Sequence, residues 1–260
     1  LLVVERAVAN LARLSPAPLA MPELARQIRP LDYEEHLPLL AECDLVIEAI
    51  AERMDWKEDL YKRIAPHVAP HAIVASNTSG LSITQLASAL PDSLRPRFCG
   101  IHFFNPPRYM YLVELIPQPA SDRGMLERLE TFLTTTLGKG VIHAKDTPNF
   151  IANRLGVFSI LATMANAQSL GIPFDVVDDL TGTRLGRAKS ATFRTADVVG
   201  LDTLAHVIGT MRTALPDDPW HPIFAAPPWL ETLLAKGALG QKTRAGVYTK
   251  QGNDILVLDP

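Results

Sequence analysis

The chain has 260 residues, of which 47% are hydrophobic and 20% charged, and this composition indicates a globular protein large enough to form two domains. The net charge of -3 gives no reason to expect a nucleic acid or an anionic membrane surface as partner. The two cysteines, Cys43 and Cys99, lie in apolar runs, so no disulfide framework and no metal site are predicted, and the cytoplasm is the expected compartment. No apolar run approaches the roughly 20 residues of a transmembrane helix, so no membrane span is predicted.

The first half of the chain alternates helical and strand patterns. Residues 1–14 and 55–67 have apolar side chains at helical spacing, and Asp55 is placed to cap the second of these helices. Further helices are predicted to start at Leu81 and to lie near residues 122–137. Short apolar runs predict strands at residues 44–50, 72–76, 98–104, 111–116 and 140–144. Strands that alternate with helices at this spacing predict an α/β fold with a doubly wound sheet.

The second half is almost wholly helical in pattern from Thr147 onward. Its helices are predicted at residues 150–169, 174–180, 195–215 and 228–236. We place the domain boundary near residues 145–148. This gives one domain at 1–145, a helical domain at 146–250 and the start of a following segment at 251–260.

Polar residues near the ends of the predicted strands form the candidate site, because doubly wound sheets bind ligands beyond the carboxyl ends of their strands. Glu52 and Lys57 follow the first strand, where they also fit a solvated surface pair. The other candidates lie in or after the later strands, or begin the long helix of the second half: Asn77, Ser79, His102, Asn105, Glu114 and Asn153.

Taken singly, these residues also have purely structural explanations. A histidine in an apolar strand, such as His102, is more often a hydrogen-bonded core residue than a proton carrier. Glu114 fits an edge strand that turns it to solvent, and Asn153 fits a buried polar position on a helix. Ser79 fits the cap of the helix that follows it.

His102 and Glu114 together point to chemistry, because both lie in apolar strands that follow each other in the chain. A buried carboxylate costs several kcal/mol unless it is paired, and an imidazole is a suitable partner. A carboxylate on one ring nitrogen fixes the tautomer, so that the other nitrogen can accept a proton at neutral pH. The pair therefore predicts a general base and a carboxylate that orients it.

A series of motifs accompanies these residues along the chain. They are EAI at 48–50 with Glu52 and Lys57, SNTS at 76–79, HFFNP at 102–106, LVE at 112–114, GK at 138–139, KDTP at 145–148, FIANR at 150–154, VGLD at 199–202, GQKT at 240–243 and GVY at 246–248. In this order they resemble the L-3-hydroxyacyl-CoA dehydrogenase family, and in detail the dehydrogenase part of bacterial multifunctional β-oxidation proteins. The resemblance covers residues 44 to about 250.

The resemblance implies catalytic roles for four residues. His102 would remove the 3-hydroxyl proton as hydride leaves C3 of the substrate, with Glu114 as its carboxylate partner. Ser79 would hydrogen-bond the substrate oxygen, and Asn153 would help to fix the substrate and the histidine. General-base help of this kind is worth roughly 10²–10⁴-fold in rate.

The resemblance also implies NAD as cofactor, an acyl-CoA as substrate and a homodimer as the assembly. Glu52 and Lys57 match positions that face the ribose and nicotinamide side of the cofactor. Asn77 and Asn105 are predicted to lie at the same cofactor site. The implied fold is a Rossmann-type doubly wound sheet followed by an all-helical C-terminal domain.

The beginning of the chain departs from the family pattern, since its first glycine is Gly80 and no G-x-G-x-x-G turn precedes it. We therefore expect an N-terminal truncation, with an incomplete sheet that lacks the first strand and the glycine loop of the family, and weak binding of NAD by this chain. The alternative is a non-catalytic, folded dimerisation or scaffold fragment that keeps the catalytic residues as vestiges.

Overall fold

The computed structural model describes residues 2–15, 17–252 and 254–258. The chain divides into two compact units, unit 1 at Leu1–Asp146 and unit 2 at Thr147–Pro260. Unit 1 contains a five-stranded sheet with helices between its strands, and unit 2 is mainly helical. The predicted fold class, a Rossmann-type sheet with flanking helices followed by a mainly helical domain, is confirmed, while the incompleteness of the sheet stays a prediction.

The sheet of unit 1 is built from the apolar runs that predict strands. These are β1 at Leu45–Glu48, β2 at Ile73–Ser76, β3 at Phe98–Phe103, β4 at Leu112–Ile116 and β5 at Gly140–His143. The strands lie side by side in chain order, and β1, β2 and β3 are parallel. β2 and β3 are buried along nearly their whole length, as expected for parallel strands covered on both faces.

β4 runs antiparallel to β3, whereas β5 is parallel to β4. Only residues 104–111 join β3 to β4, and a parallel crossover needs about a dozen residues or more. The chain therefore turns back directly, which departs from the regular strand–helix–strand alternation of the prediction. The reversal places His102 of β3 directly opposite Glu114 of β4.

The helices of unit 1 are α1 at Leu2–Asn10, α2 at Met54–Ile64, α3 at Ile83–Ser88 and α4 at Arg123–Thr131. Short 3-10 turns lie at Leu11–Arg13, Pro22–Gln27, Leu37–Glu42, Ala65–His67 and Arg95–Arg97, and a π turn at Phe132–Thr136 continues α4. α1 has no buried residue, whereas α2, α3 and α4 each bury apolar side chains.

The structure corrects two expectations about helix caps. Asp55 lies inside the first turn of α2, where it pairs with Arg53 at 2.6 Å instead of capping the helix. The cap of α3 is Ser82, whose Oγ accepts a hydrogen bond from the Gln85 N–H at 3.2 Å. The reading of Ser79 as the cap of this helix is therefore wrong.

Asp146, the last residue of unit 1, also binds the beginning of α3. One carboxylate oxygen accepts a hydrogen bond from the Ile83 N–H at 2.9 Å. The other accepts from the Thr84 N–H and the Ser82 hydroxyl, both at 2.8 Å. The first N–H groups of a helix have no partner within it, so this carboxylate satisfies donors at the end that favours negative charge.

Unit 2 consists of α5 at Ala152–Leu170, α6 at Phe174–Thr181, α7 at Phe193–Val199, α8 at Leu201–Ala214 and α9 at Pro228–Ala235, with short 3-10 turns between them. Their apolar faces form one core, in which the rings of Phe174 and Phe193 stack at 4.0 Å between centroids. The single helix predicted at 195–215 is divided at Gly200, whose φ of +98° no helix can adopt. In the described ranges, no helix combines the length and apolarity needed to cross a membrane.

The prediction of a wholly helical second domain is incomplete, because unit 2 also contains a β-hairpin. β6 at Tyr248–Gln251 pairs antiparallel with β7 at Asp254–Val257. Val257 and Leu258 pack against the core of unit 2. The described part of 251–260 therefore packs within unit 2, and the start of a following segment there stays a prediction; residues 253, 259 and 260 lie outside the described residues.

Asp178 of α6 joins two helices to this hairpin. Its carboxylate accepts hydrogen bonds from the N–H groups of Thr192, Phe193 and Arg194 at the start of α7, at 2.7–3.0 Å. It also accepts one from the hydroxyl of Tyr248 at 2.9 Å. The N-terminus of α7 and the first strand of the hairpin are thus bound to one buried carboxylate.

Asp197 of α7 explains a glycine of the GVY motif. Its carboxylate accepts hydrogen bonds from the N–H groups of Val247 and Tyr248, at 2.9 and 2.8 Å. A side chain at Gly246 would collide with this carboxylate. The motif therefore has a packing role in unit 2.

We predict that Cys99 resists alkylation in the native protein. It lies in the sheet with 0% of its surface exposed, and burial raises the pKa of its thiol to about 12. Iodoacetamide at about pH 8 should therefore leave Cys99 unmodified, since thiolate and access are both lacking. Cys43, which is partly exposed, serves as the internal control. Mass spectrometry of peptides reads both sites, and equal alkylation of the two cysteines would contradict the buried position.

We predict that Asp146→Ala lowers the free energy of unfolding by about 1–2 kcal/mol, because the first donors of α3 lose their acceptor. Asp92→Ala is the matched control, since Asp92 is 91% exposed and pairs with Arg95 at the surface. Its effect should stay within about 0.5 kcal/mol. Urea unfolding measures both variants, and equal losses would argue against the capping role of Asp146.

Candidate active site

The carboxyl ends of β1, β2 and β3 meet at one edge of the sheet, because these strands are parallel. The connections that leave this edge begin at Ala49, Asn77 and Phe104. The structure places the predicted site residues of unit 1 at or next to this edge: Glu52, Lys57, Asn77, Ser79, His102, Asn105 and Glu114.

His102 and Glu114 are in direct contact. Nδ1 of His102 lies 2.6 Å from Oε2 of Glu114, and the two side chains are 4% and 0% exposed. A carboxylate beside Nδ1 favours the tautomer in which Nδ1 donates and Nε2 is the proton acceptor. Because the residues are cross-strand neighbours, the backbone pairing of β3 and β4 sets their separation.

Glu48, at the end of β1, is a member of the site to which the sequence motif alone assigned no role. Its Oε1 accepts hydrogen bonds from the Lys57 ammonium at 2.6 Å and the Ile50 N–H at 2.7 Å. Its Oε2 accepts from the hydroxyls of Ser76 at 2.8 Å and Tyr61 at 3.0 Å. A buried carboxylate needs such a set of donors. The available signal in the sequence was a glutamate inside the apolar run at residues 44–50.

Tyr61 of α2 is a permanent donor to this carboxylate. Its side chain is 0% exposed and meets Phe98 edge to face, with ring centroids 5.5 Å apart. Burial, and then the charge of Glu48, raise the pKa of the phenol far above its usual range. The hydroxyl therefore stays protonated at any physiological pH.

Lys57 is fully buried, which the sequence did not reveal. Besides Glu48, its ammonium donates to the Ile50 carbonyl oxygen at 3.3 Å and lies 3.8 Å from Oε2 of Glu52. The resemblance implies a position facing the cofactor, whereas in the structure the ammonium acts on neighbouring groups of the protein. A cofactor contact by Lys57 stays a prediction.

Glu52 organises the loop that follows β2. Its Oε1 accepts hydrogen bonds from the Thr78 hydroxyl at 2.5 Å, the Ser79 N–H at 2.9 Å and the Gly80 N–H at 3.0 Å. Its side chain is nevertheless 37% exposed, so the carboxylate is accessible to a ligand at the same edge. Glu52 therefore combines a structural task with the predicted position at the cofactor site.

The remaining predicted residues differ in their exposure. Asn77 accepts a hydrogen bond from the Phe103 N–H at 3.1 Å, which links the ends of β2 and β3, while Ser79 and Asn105 are exposed. Asn153 lies partly buried in the first turn of α5, in unit 2. The roles of these residues toward substrate and cofactor stay predictions.

The polar groups at this edge fit the ribose and nicotinamide end of a dinucleotide. The Glu52 carboxylate can accept hydrogen bonds from ribose hydroxyls, and Asn77 and Asn105 present amides there. Residues 1–79 contain no glycine and so supply no glycine loop for the pyrophosphate. The expected truncation and the weak binding of NAD by this chain stay predictions.

Comparison with protein-family models gives two matches that follow each other along the chain. Residues 3–147 match the 3-hydroxyacyl-CoA dehydrogenase, NAD binding domain. Residues 150–250 match the 3-hydroxyacyl-CoA dehydrogenase, C-terminal domain. Unit 1 therefore matches the NAD-binding domain of this family, although residues 1–79 contain no glycine.

Known proteins and a solved structure are similar over nearly the whole chain. A probable 3-hydroxyacyl-CoA dehydrogenase of Bacillus subtilis is 40% identical over 98% of this chain, which spans 32% of that protein. A protein of the same description from Deinococcus radiodurans is 40% identical over 95% of this chain and 69% of its own length. The crystal structure of Mycobacterium tuberculosis FadB2 is 30% identical, with a TM-score of 0.82 over 95% of this chain and 85% of that chain.

The chain thus spans about a third of the Bacillus protein and about two thirds of the Deinococcus protein. The matches to both family models occur in the same order as the two structural units. On this evidence the chain belongs to the 3-hydroxyacyl-CoA dehydrogenase family.

Proposed function

We propose that the protein catalyses the NAD-dependent oxidation of an L-3-hydroxyacyl-CoA to the 3-ketoacyl-CoA in fatty-acid β-oxidation. The observation that carries this proposal is the buried 2.6 Å contact of His102 with Glu114 at the carboxyl edge of an NAD-binding domain. The names of the Bacillus and Deinococcus relatives describe the same class of enzyme. The comparisons give no support to the scaffold alternative.

His102 is the general base of this reaction. Nε2 accepts the proton of the substrate's 3-hydroxyl group, and Glu114 beside Nδ1 stabilises the imidazolium that forms. Since both side chains are almost wholly buried, the carboxylate acts on the ring with little screening by water. NAD, when bound, supplies the acceptor for the hydride that leaves C3.

Ser79 holds the oxygen of the substrate next to the base. Its hydroxyl is exposed, while its backbone N–H is fixed by Glu52 at 2.9 Å, so the loop is anchored and the side chain is presented. Glu52, Asn77 and Asn105 would hold the ribose and nicotinamide end of NAD. The role of Asn153 of unit 2, which the resemblance implies, stays a prediction.

We predict that His102→Gln in the full-length protein lowers kcat about 10²–10⁴-fold, because the general base is lost. Glu114→Gln should also lower kcat, since the ring loses the charge that stabilises its protonated form. Reduction of acetoacetyl-CoA by NADH, followed by absorbance, measures both variants.

The matched control is His143→Gln, because His143 pairs with Glu130 at 2.9 Å at the surface of the same unit, with side chains 54% and 37% exposed. Its turnover should match the wild type. Near-normal turnover of His102→Gln, with the control equally active, would overturn the assignment of His102 as base.

The homodimer is proposed to form through unit 2. α5 and α6 border an apolar groove of about 370 Å³, and large apolar side chains are exposed nearby, among them Leu170 at 69% and Leu180 at 49%. A second copy of this unit would cover such a face, because exposed apolar patches of this kind mark contact surfaces.

The two free cysteines agree with the expected cytoplasmic location.

We predict that Leu170→Asp combined with Leu180→Asp converts the dimer to a monomer, because charges replace apolar contacts at the rim of the groove. Ile255→Asp, at a position 58% exposed on β7, is the control and should remain dimeric. Light scattering after size-exclusion chromatography measures the mass. A wild-type monomer at high concentration would contradict the proposed assembly.

A further inference from the structure

The buried ammonium of Lys57 takes no part in the chemistry proposed above. Lysine is almost never fully buried unless it is paired, and a cation in such a place persists only if its surroundings require it. Here the side chain is 0% exposed and lies beneath the carboxyl edge of the sheet, between the carboxylates of Glu48 and Glu52. The question is what this arrangement holds in place.

The loop that carries Ser79 is bound to this network by its backbone. The consecutive N–H groups from Asn77 to Leu81 all donate hydrogen bonds to it. Their acceptors, in order, are the carbonyl oxygen of Glu48 at 2.8 Å, Oγ of Ser76 at 3.3 Å, Oε1 of Glu52 at 2.9 and 3.0 Å, and Oγ1 of Thr78 at 3.0 Å. The conformation of the loop therefore depends on where Glu48, Ser76 and Glu52 lie.

Lys57 connects the carboxylate of Glu52, which accepts two N–H groups of this loop, to the carboxylate of Glu48, which accepts the hydroxyl of Ser76. It donates to Oε1 of Glu48 at 2.6 Å, and its charge lies 3.8 Å from Oε2 of Glu52. Oε1 of Glu52 then receives the hydroxyl of Thr78 and the N–H group of Ser79. A continuous path of short contacts leads from the buried cation to the loop, with one weaker step at Glu52.

We propose that Glu48 and Lys57 form a positioning pair, which holds residues 77–80 in the conformation that places the Ser79 hydroxyl against the substrate oxygen. Neither residue touches the substrate; both act through Glu52 and the loop backbone. This inference rests on the proposed function and extends it, because it gives Lys57 a task different from the cofactor contact that the resemblance implies.

The combined substitution Glu48→Gln with Lys57→Met separates a positioning role from a merely structural one. Each single change leaves an uncompensated buried charge and should lower the thermal midpoint by roughly 5–15 °C. The double variant removes both charges together, and it should regain most of this loss, because a buried ion pair contributes little net stability. In the double variant the loop at residues 77–80 remains less firmly held than in the wild type, because Glu52 no longer faces a cation.

Kinetic measurements decide between the positioning role and a merely structural role. In the full-length protein, the double variant should show a kcat for the 3-hydroxyacyl-CoA that is roughly 10- to 100-fold lower, as expected for a misplaced binding group. The pH at which kcat falls should not move, because His102 and Glu114 are unchanged.

A second variant keeps the test decisive if the double variant is poorly folded. Thr78→Val removes the hydroxyl that joins Glu52 to the loop, at a side chain that is almost wholly buried, and it should lower kcat in the same way. Thr195→Val is the matched control in unit 2, where the partly buried hydroxyl donates to the Ala191 carbonyl oxygen at 2.6 Å and lies 2.8 Å from Oγ of Ser190. This control should keep wild-type kinetics.

The outcomes distinguish this inference from the function on which it rests. Wild-type kcat and KM in a well-folded double variant, or in Thr78→Val, would overturn the positioning role while His102→Gln remains inactive. Normal turnover of His102→Gln would instead overturn the proposed function itself. Loss of kcat with an unshifted pH profile and an unchanged KM for NAD in both Thr78→Val and the double variant would establish the pair as positioning residues. A raised KM for NAD in the double variant alone would overturn the positioning role in favour of a cofactor contact by Lys57.

Discussion

A carboxylate that leaves water needs hydrogen-bond donors in its place, and this requirement shapes both units of the protein. In unit 1, Glu48 accepts hydrogen bonds from four donors, in β2, in α2 and in the connection after β1, and Glu114 is paired with His102. In unit 2, Asp178 and Asp197 bind segments that are far apart in the chain. The contacts that define the site are thus fixed by buried charge, and helix or strand propensity alone does not specify them.

Much of the fold was predictable because it follows from local patterns. The apolar runs predicted the strands of unit 1, and the change to helical periodicity after Thr147 marks the place where the chain divides. The contact of His102 with Glu114 was also predictable, since two ionisable groups in neighbouring apolar strands have few other ways to be satisfied. Family motifs then supplied the chemical meaning of the pair.

The parts that the sequence did not reveal depend on tertiary contacts. The burial of Lys57 and the set of donors around Glu48 require α2 to pack beneath β1, which no local pattern records. The hairpin after residue 247 was missed because its strands are short and largely exposed. The antiparallel direction of β4, by contrast, could have been predicted from the sequence. The connection 104–111 is too short for a parallel crossover.

The separation of His102 and Glu114 does not depend on the length of the connection that follows Asn105. The ladder between β3 and β4 sets the His102–Glu114 separation, whereas residues 105–111 are exposed and add nothing to it. A slip of one residue within the ladder would turn Glu114 to the opposite face of the sheet. A change of length in residues 106–111 would therefore leave the ladder intact, whereas a change of length within either strand would break the pair. The surface beside His102 and the contact of His102 with Glu114 are thus set by separate parts of the chain, one by the loop and the other by the pairing of two strands.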